Sequence, residues 1–282
     1  MARVEVNGLH LNVEAAGHGF PLLALHGFTG SAATWRPFAA SWPRHRIIAV
    51  DLIGHGASDA PAGESRYTMA HCTADLAALL DALDVERAAV LGYSMGGRVA
   101  LQFALAAPDR VAALVLESAS PGIDDAGDRA ARVAADRALA DGIEGDGVQA
   151  FVDHWEALPM WATQAALPDE VRERLRAQRL RNSASGLANS LRGMGAGAQE
   201  PVLNRLDELR MPVLLIAGEQ DTKYRQLAHD MREHIRNAHI NIVEGAGHAA
   251  HLERPAAFAP LVKEFLATWL QQNQQPAPSA RP

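Results

Sequence analysis

A doubly wound, mostly parallel α/β sheet with an inserted helical lid is the architecture that three features of the sequence predict. Short apolar runs alternate with amphipathic stretches up to about residue 120 and again over 211–270, the rhythm of βαβ units. Between residues 121 and 210 that rhythm stops, and only helical periodicity remains. Gly92-Tyr93-Ser94-Met95-Gly96 joins an apolar run, Ala89-Val90-Leu91, directly to a helical pattern carrying Val99, Leu101, Phe103 and Leu105. The chain therefore divides into a first core part (1–120), a lid (121–210), a second core part (211–270) and a disordered tail (271–282, QQNQQPAPSARP).

In chain order, Val4, Val6, Leu9, Leu11 and Val13 alternate around Asn7-Gly8, a two-residue hairpin signal, so the first two strands are antiparallel. A buried strand over 22–25 stops at His26-Gly27-Phe28-Thr29-Gly30. A second, over 47–50, ends in a loop containing Asp51 and His55. Both can do chemistry, but the surrounding glycines suit a structural turn, and neither is assigned to a site. Residues 67–83 read as an amphipathic helix with Met69, Leu76, Leu79, Leu80 and Leu83 apolar, and 111–116 as a further buried strand. The lid should hold helices over 128–140, 147–158, 168–182 and 187–192, entered through Asp124-Asp125-Ala126-Gly127. Near its end lies Gly193-Met194-Gly195-Ala196-Gly197, which follows no strand and so makes a poor phosphate cradle. Strands return at 213–217 and 240–243, and a helix over 255–270 closes the fold.

Composition excludes several classes. A 48% hydrophobic, 21% charged chain of 282 residues describes an ordinary globular protein with room for a sizeable core. The net charge of -7, without a basic tail or stripe, argues against nucleic-acid binding. The lone Cys72 permits no intramolecular disulfide and reads as a small buried side chain on a helix; it also leaves no metal cluster to build. The opening MARVEVNGLHLNVEAAG lacks the apolar centre of a signal peptide, and no run approaches the ~18 apolar residues of a membrane span. A cytoplasmic protein without metal or cofactor is the expectation.

The chemistry centres on Ser94. Gly-x-Ser-x-Gly between strand and helix is the nucleophile elbow, whose glycines make room for a turn too tight for Cβ atoms. Gly-rich turns of no catalytic meaning also join strands to helices, so partners decide. A serine hydroxyl needs an imidazole to take its proton and a carboxylate to orient that imidazole. Asp221 and His248 each stand just beyond a predicted strand, and the order Ser94, Asp221, His248 is that of the α/β-hydrolase fold. His251 and Glu219 are alternatives for the same roles. The N–H groups of Phe28 and Met95 are candidates for an oxyanion hole, though a plain turn accounts equally well for the loop at 26–30.

GYSMGGRVAL, ESASPGI, DRAARVAADR, FVDHW, LRGMGAG, GEQDTKY and GAGHAAH together resemble the MenH family of menaquinone biosynthesis, 2-succinyl-6-hydroxy-2,4-cyclohexadiene-1-carboxylate synthase, over residues 26–251. The elbow and GAGH are common to the superfamily; Arg98 and the lid motifs discriminate. The resemblance implies a lyase that removes pyruvate from a cyclohexene bearing succinyl and enolpyruvyl groups. It also implies that Arg132 and Arg179 bind substrate carboxylates, that Tyr93 precedes the nucleophile and that Trp155 lines the pocket. Physical reading agrees for Arg98, which lies one helical turn beyond Ser94 on about the same face, where a neutral-ester hydrolase has no need of a guanidinium. For the lid arginines a plainer reading competes. Asp128 and Asp136 are each four residues from Arg132, and Arg179 sits among Arg172, Arg174, Arg176 and Arg181 on a helix expected to be solvated. Three functions follow: a lyase acting on a small anionic carboxylate, a serine hydrolase of small esters or lactones, and a non-catalytic binding relative, which an intact triad disfavours.

Overall fold

Side chains alternate across each strand, so one sheet supports two cores. The computed structural model describes residues 2–273, with side chains through residue 270. The hairpin of β1 (Ala2–Val6) and β2 (Leu9–Ala16) turns through Asn7 and Gly8, whose φ values of 46° and 79° are what a type I′ connection requires. Then follow β3 (Phe20–Leu25), β4 (His45–Val50), α1 (Met69–Ala82), β5 (Ala88–Tyr93), α2 (Met95–Ala106) and β6 (Val111–Glu117). After the insertion come β7 (Val213–Gly218) and β8 (Ala238–Val243). The eight strands lie in the order β1-β2-β4-β3-β5-β6-β7-β8, antiparallel at β1/β2 and β2/β4 and parallel elsewhere.

Leu23, Leu25, Val90 and Leu114 point to one face and join Leu79, Val99 and Phe103. Leu22, Ala24, Leu91 and Val115 point to the other, where Trp35, Trp42 and Phe258 cover them. Register aligns the carboxyl ends: Leu25 pairs with Gly92, Tyr93 with Glu117, and Gly218 with Val243. The loops that follow β3, β5, β7 and β8 therefore open on one edge of the sheet, where open α/β folds bind ligands.

The insertion contains α3 (Ala126–Glu156), a 3-10 segment (Pro159–Ala166), α4 (Asp169–Leu180) and α5 (Ala184–Met194). It has a small core of its own, in which Ala140, Ile143, Phe151 and Val152 meet Leu187 and Leu191. The two helices expected at 128–140 and 147–158 are both present, joined end to end across a kink within α3. The break is confined to Gly147 (φ 84°, ψ 166°), and the helix continues through Gly142 and Gly145, where a Cβ would meet nothing. The stretch up to 210 also divides, since Val202, Leu206 and Leu209 bury against the main core instead of the insertion's own.

Two further differences concern the second half. A helix, α6 (Thr222–His234), joins β7 to β8 where periodicity marked none, and a four-residue helix, α7 (Ala250–Glu253), precedes α8 (Pro255–Asn273). Because α8 runs to Asn273, the first three residues of the expected tail are helical; the rest of it lies outside the described residues. Cys72 is buried on α1, and burial raises its thiol pKa to about 12.

Phe103 is fully buried where α2 crosses the sheet. Phe103→Ala should destabilise the protein by about 3–5 kcal/mol, the cost of a large core cavity. A urea midpoint lowered at unchanged m-value is the expected measurement.

Candidate active site

Ser94 occupies a backbone conformation few non-glycine residues adopt, φ 51° and ψ −109°. Its N–H donates to Glu117 O at 2.8 Å, and its carbonyl accepts from Arg98 N at 3.0 Å, the first turn of α2. The turn closes so tightly that a Cβ at Gly96 would come within 2.5 Å of the Leu25 and His26 carbonyl oxygens, and one at Gly92 within 2.3 Å of Gly96 O. Glycine at both positions follows from the sterics.

His248 Nε2 lies 3.0 Å from Ser94 Oγ, and His248 Nδ1 lies 2.6 Å from Asp221 Oδ2. The carboxylate fixes the tautomer: Nδ1–H donates to it, leaving the Nε2 lone pair to accept the serine proton. Asp221 is in turn the N-cap of α6, its Oδ1 accepting from Tyr224 N at 3.3 Å. Two buried carboxylates hold the histidine loop. Glu253 accepts from Gly247 N (2.6 Å) and Ala249 N (3.2 Å), on either side of His248. Glu117 accepts from the backbone N–H of His251 (3.0 Å) and from its ring Nδ1–H (2.9 Å). The two alternative residues thus stand elsewhere. His251 pairs with Glu117, and Glu219 accepts from Gly245 N at 2.9 Å.

The other sequence-derived residues line one cavity of about 530 Å³ above Ser94: Phe28, Tyr93, Met95, Arg98, Arg132, Trp155 and Arg179. Met95 is the first residue of α2, so its N–H has no acceptor within the helix. The loop bearing Phe28 is shaped by His26, whose Nδ1–H donates to Gly27 O (2.7 Å) while Nε2 accepts from Leu52 N (3.0 Å). Phe28 stacks edge-on against Trp155, their ring centroids 5.5 Å apart, and this contact joins the insertion to the sheet edge. Asp51 and His55 are structural. Asp51 accepts from Asn12, Ala32 and Ala57, and the His55 ring lies 5.0 Å from that of His26.

The arginines differ in how their charge is met. Arg132 Nε donates to Asp136 at 2.8 Å, one of the two acidic residues its spacing offered. Arg179 is not on a solvated surface: it is 8% exposed, donates to Glu156 at 2.8 Å and lies over Trp161. Among the described residues Arg98 has no carboxylate within ion-pair distance; it donates to Met194 O (2.8 Å) and Gln199 Oε1 (3.3 Å). Burial lowers its pKa to about 10, partly offset by Tyr224 nearby, so it stays charged at neutral pH.

Sequence reasoning missed Tyr224, Trp161 and Gln164, all in the cavity wall. The rings of Tyr224 and Trp161 lie 4.5 and 5.5 Å from that of His248. Tyr224 had one usable signal, its place three residues after a helix-capping aspartate; the 3-10 segment bearing Trp161 and Gln164 has no periodicity to read.

A family model described as the alpha/beta hydrolase fold matches residues 21–255. A Bacillus subtilis (strain 168) protein named putative 2-succinyl-6-hydroxy-2,4-cyclohexadiene-1-carboxylate synthase is 44% identical over 247 residues, covering 88% of this chain and 90% of its own. This chain is an α/β hydrolase of the MenH family. The synthase of Serratia proteamaculans (strain 568) is 32% identical over 87% of this chain and 92% of that one. Among solved structures, MenH from S. aureus superposes with a TM-score of 0.87 at 32% identity, over 93% of this chain and 99% of that one. The enol-lactonase of Burkholderia xenovorans LB400 does so with a TM-score of 0.81 at 25% identity, over 94% and 100%. The MenH family thus shares its scaffold with hydrolases, and the cavity has to distinguish the chemistry.

His26 and His55 support the loop in their neutral forms, since burial lowers their pKa values to about 4 and about 3 from 6.5. Below about pH 6.5 the unfolded chain binds protons that the folded chain refuses, so stability is complete above that pH and falls as pH drops towards about 4 and about 3. Each histidine should remove about 1.4 kcal/mol per pH unit in that window. Urea midpoints measured between neutral and mildly acid pH check this; a flat profile would contradict it.

Proposed function

We propose that this MenH-family protein eliminates pyruvate from 2-succinyl-5-enolpyruvyl-6-hydroxy-3-cyclohexene-1-carboxylate, giving 2-succinyl-6-hydroxy-2,4-cyclohexadiene-1-carboxylate in menaquinone biosynthesis. The observation that carries this reading is Arg98, a buried guanidinium in the cavity wall, one turn from Ser94, with no carboxylate partner among the described residues. Such a charge favours an anionic ligand, and the substrate carries three carboxylates.

In the proposed reaction Ser94 Oγ, relayed by His248 and oriented by Asp221, removes the ring proton at C2, next to the succinyl ketone. The electron pair forms a C2=C3 bond as the C3=C4 pair shifts to C4=C5 and the C5–O bond breaks. The leaving oxygen carries away the pair as an enolate, which takes up at its methylene carbon one proton, balancing the one left on His248, and so becomes pyruvate. Negative charge that develops on the ketone oxygen is met by the N–H groups of Phe28 and Met95. Tyr93 and Trp155 shape the pocket, Arg132 and Arg179 serve the remaining carboxylates, and residues 121–194 act as the lid that excludes water. The reading includes a cytoplasmic location and no cofactor; among the described residues no helix is long and apolar enough to cross a membrane.

A second reading is a serine hydrolase. The 3.0 Å Ser94–His248 contact beside two candidate oxyanion donors would equally serve acyl transfer, with Ser94 as covalent nucleophile.

The test is release of pyruvate from the enolpyruvyl substrate, read through a coupled dehydrogenase. Ser94→Ala, His248→Ala and Asp221→Asn should each lower kcat by about 10²–10⁴-fold and combine non-additively. Brisk hydrolysis of a neutral p-nitrophenyl ester without pyruvate release would favour the hydrolase. Arg98→Ala should reduce kcat/KM for the tricarboxylate by about 10²-fold and for a neutral ester far less. Its charge also sets a pH limit: Arg98 is cationic below about pH 10, so kcat/KM for the anionic substrate should fall as pH rises through that value. Equal losses on both substrates would assign Arg98 to the elbow's structure.

A further inference from the structure

The turn that carries Phe28 is held in a conformation its own residues do not favour. Thr29 is β-branched and buried, yet it lies at φ 67°, where such residues are rarely found. A backbone of this kind persists only where its surroundings over-determine it. Part of the restraint is local. The Gly27 carbonyl accepts from His26 Nδ1–H at 2.7 Å and from Gly30 N–H at 2.9 Å. Phe28 N–H belongs to the same planar trans peptide unit, so it points the opposite way, and it has no acceptor among the described residues. The turn also passes close to the nucleophile: a Cβ at Gly27 would lie 3.5 Å from that of Ser94.

The rest of the restraint comes from the insertion. Asn182, buried between α4 and α5, donates through Nδ2 to Thr29 O at 2.9 Å. The same nitrogen donates to Arg179 O at 3.0 Å, with Gln178 O at 3.4 Å, and Oδ1 accepts from Gly56 N at 2.9 Å. The amide can therefore point only one way, since the carbonyls need its NH₂ group and the Gly56 N–H needs its oxygen. This corner of the insertion sits backbone to backbone on the sheet edge. A Cβ at Gly186 would meet Gly54 O at 2.3 Å, and one at Gly54 would meet Gly186 O at 2.7 Å.

We propose that Asn182 is a positioning residue for the oxyanion hole: by holding the Thr29 carbonyl it keeps the left-handed turn that aims Phe28 N–H at the reacting oxygen, and it ties that aim to the seating of the lid. The insertion then contributes to the rate as well as to binding. Because negative charge on the reacting oxygen develops only as the reaction proceeds, loss of aim lowers kcat and spares KM. This rests on the reading of Phe28 N–H as an oxyanion donor, and it holds for elimination and acyl transfer alike.

The test is kinetic, on the whole protein, with pyruvate release and hydrolysis of a neutral p-nitrophenyl ester followed in parallel. For whichever reaction the wild type performs, Asn182→Ala should lower kcat by about tenfold or more and leave KM within about twofold. Asn182→Asp, compared with the wild type at alkaline pH, keeps the shape and the bond from Gly56 N–H but turns an ionised oxygen to the Thr29 carbonyl. It should lose at least as much, and it decides the matter if the alanine variant does not fold. A cycle with Thr29→Gly separates positioning from general support of the lid. Glycine takes up positive φ without strain, so in the Thr29→Gly background adding Asn182→Ala should lower kcat by only about twofold. An unchanged kcat in both Asn182 variants, a loss confined to KM, or the same loss with and without Thr29→Gly would overturn the proposal and leave the triad's role standing. A wild type that performs neither reaction overturns it together with the catalytic reading of the site.

Discussion

The hydrogen bond from Ser94 N–H to the carbonyl of Glu117 is the contact through which much of the site is registered. Ser94 sits at positive φ, a conformation that costs on the order of 1–3 kcal/mol and persists only where the surroundings over-determine it. Here Gly92 and Gly96 remove the Cβ atoms that would collide, α2 packs Val99 and Phe103 beneath the turn, and β6 supplies the acceptor. The same Glu117 reaches with its carboxylate to the backbone and ring of His251. One residue at the end of β6 thus ties the elbow to the histidine loop.

That loop is held by charge placed out of solvent. Glu253 takes the N–H groups on both sides of His248, so the imidazole's approach to Ser94 is set by backbone hydrogen bonds and not by side-chain packing alone. Carboxylates accepting backbone N–H groups make strong, directional contacts, which suits a position where ångström errors matter. The lid closes on the same loop. A Cβ at Gly247 would meet Thr163 Oγ1 at 2.2 Å, so the absence of a side chain there admits the 3-10 segment that carries Trp161 and Gln164.

The cavity separates two ways of treating an arginine. Arg132 and Arg179 have carboxylate partners, whereas Arg98 is buried against a carbonyl and an amide oxygen, and its lowered pKa expresses the desolvation that remains. A buried cation left unneutralised stores affinity for an anion, because the ligand recovers what the fold gave up. The distinction bears on the MenH-type chemistry more directly than the scaffold does, since hydrolases share the scaffold.

The sequence by itself determined the sheet, the elbow and the order Ser94, Asp221, His248, because each is written locally: apolar runs that stop at glycines, and chemical residues placed one step past a strand's end. It also determined that Arg98 faces the same way as Ser94, since helical spacing alone sets that relation. Tertiary structure decided what spacing leaves open. Arg179 reads as one of several arginines on a charged helix, and only the packing of α4 against the end of α3 and the 3-10 segment that follows it buries it with Glu156 and Trp161. The helix α6 and the cavity residues Tyr224, Trp161 and Gln164 were likewise illegible, the last two because an irregular segment has no period. Whether a guanidinium is spent on a neighbour or left for a ligand depends on groups 20 to 100 residues away in the chain, as with Glu156 for Arg179 and Met194 for Arg98. Such distances are set by the way the lid folds back over the sheet, and no local pattern encodes them.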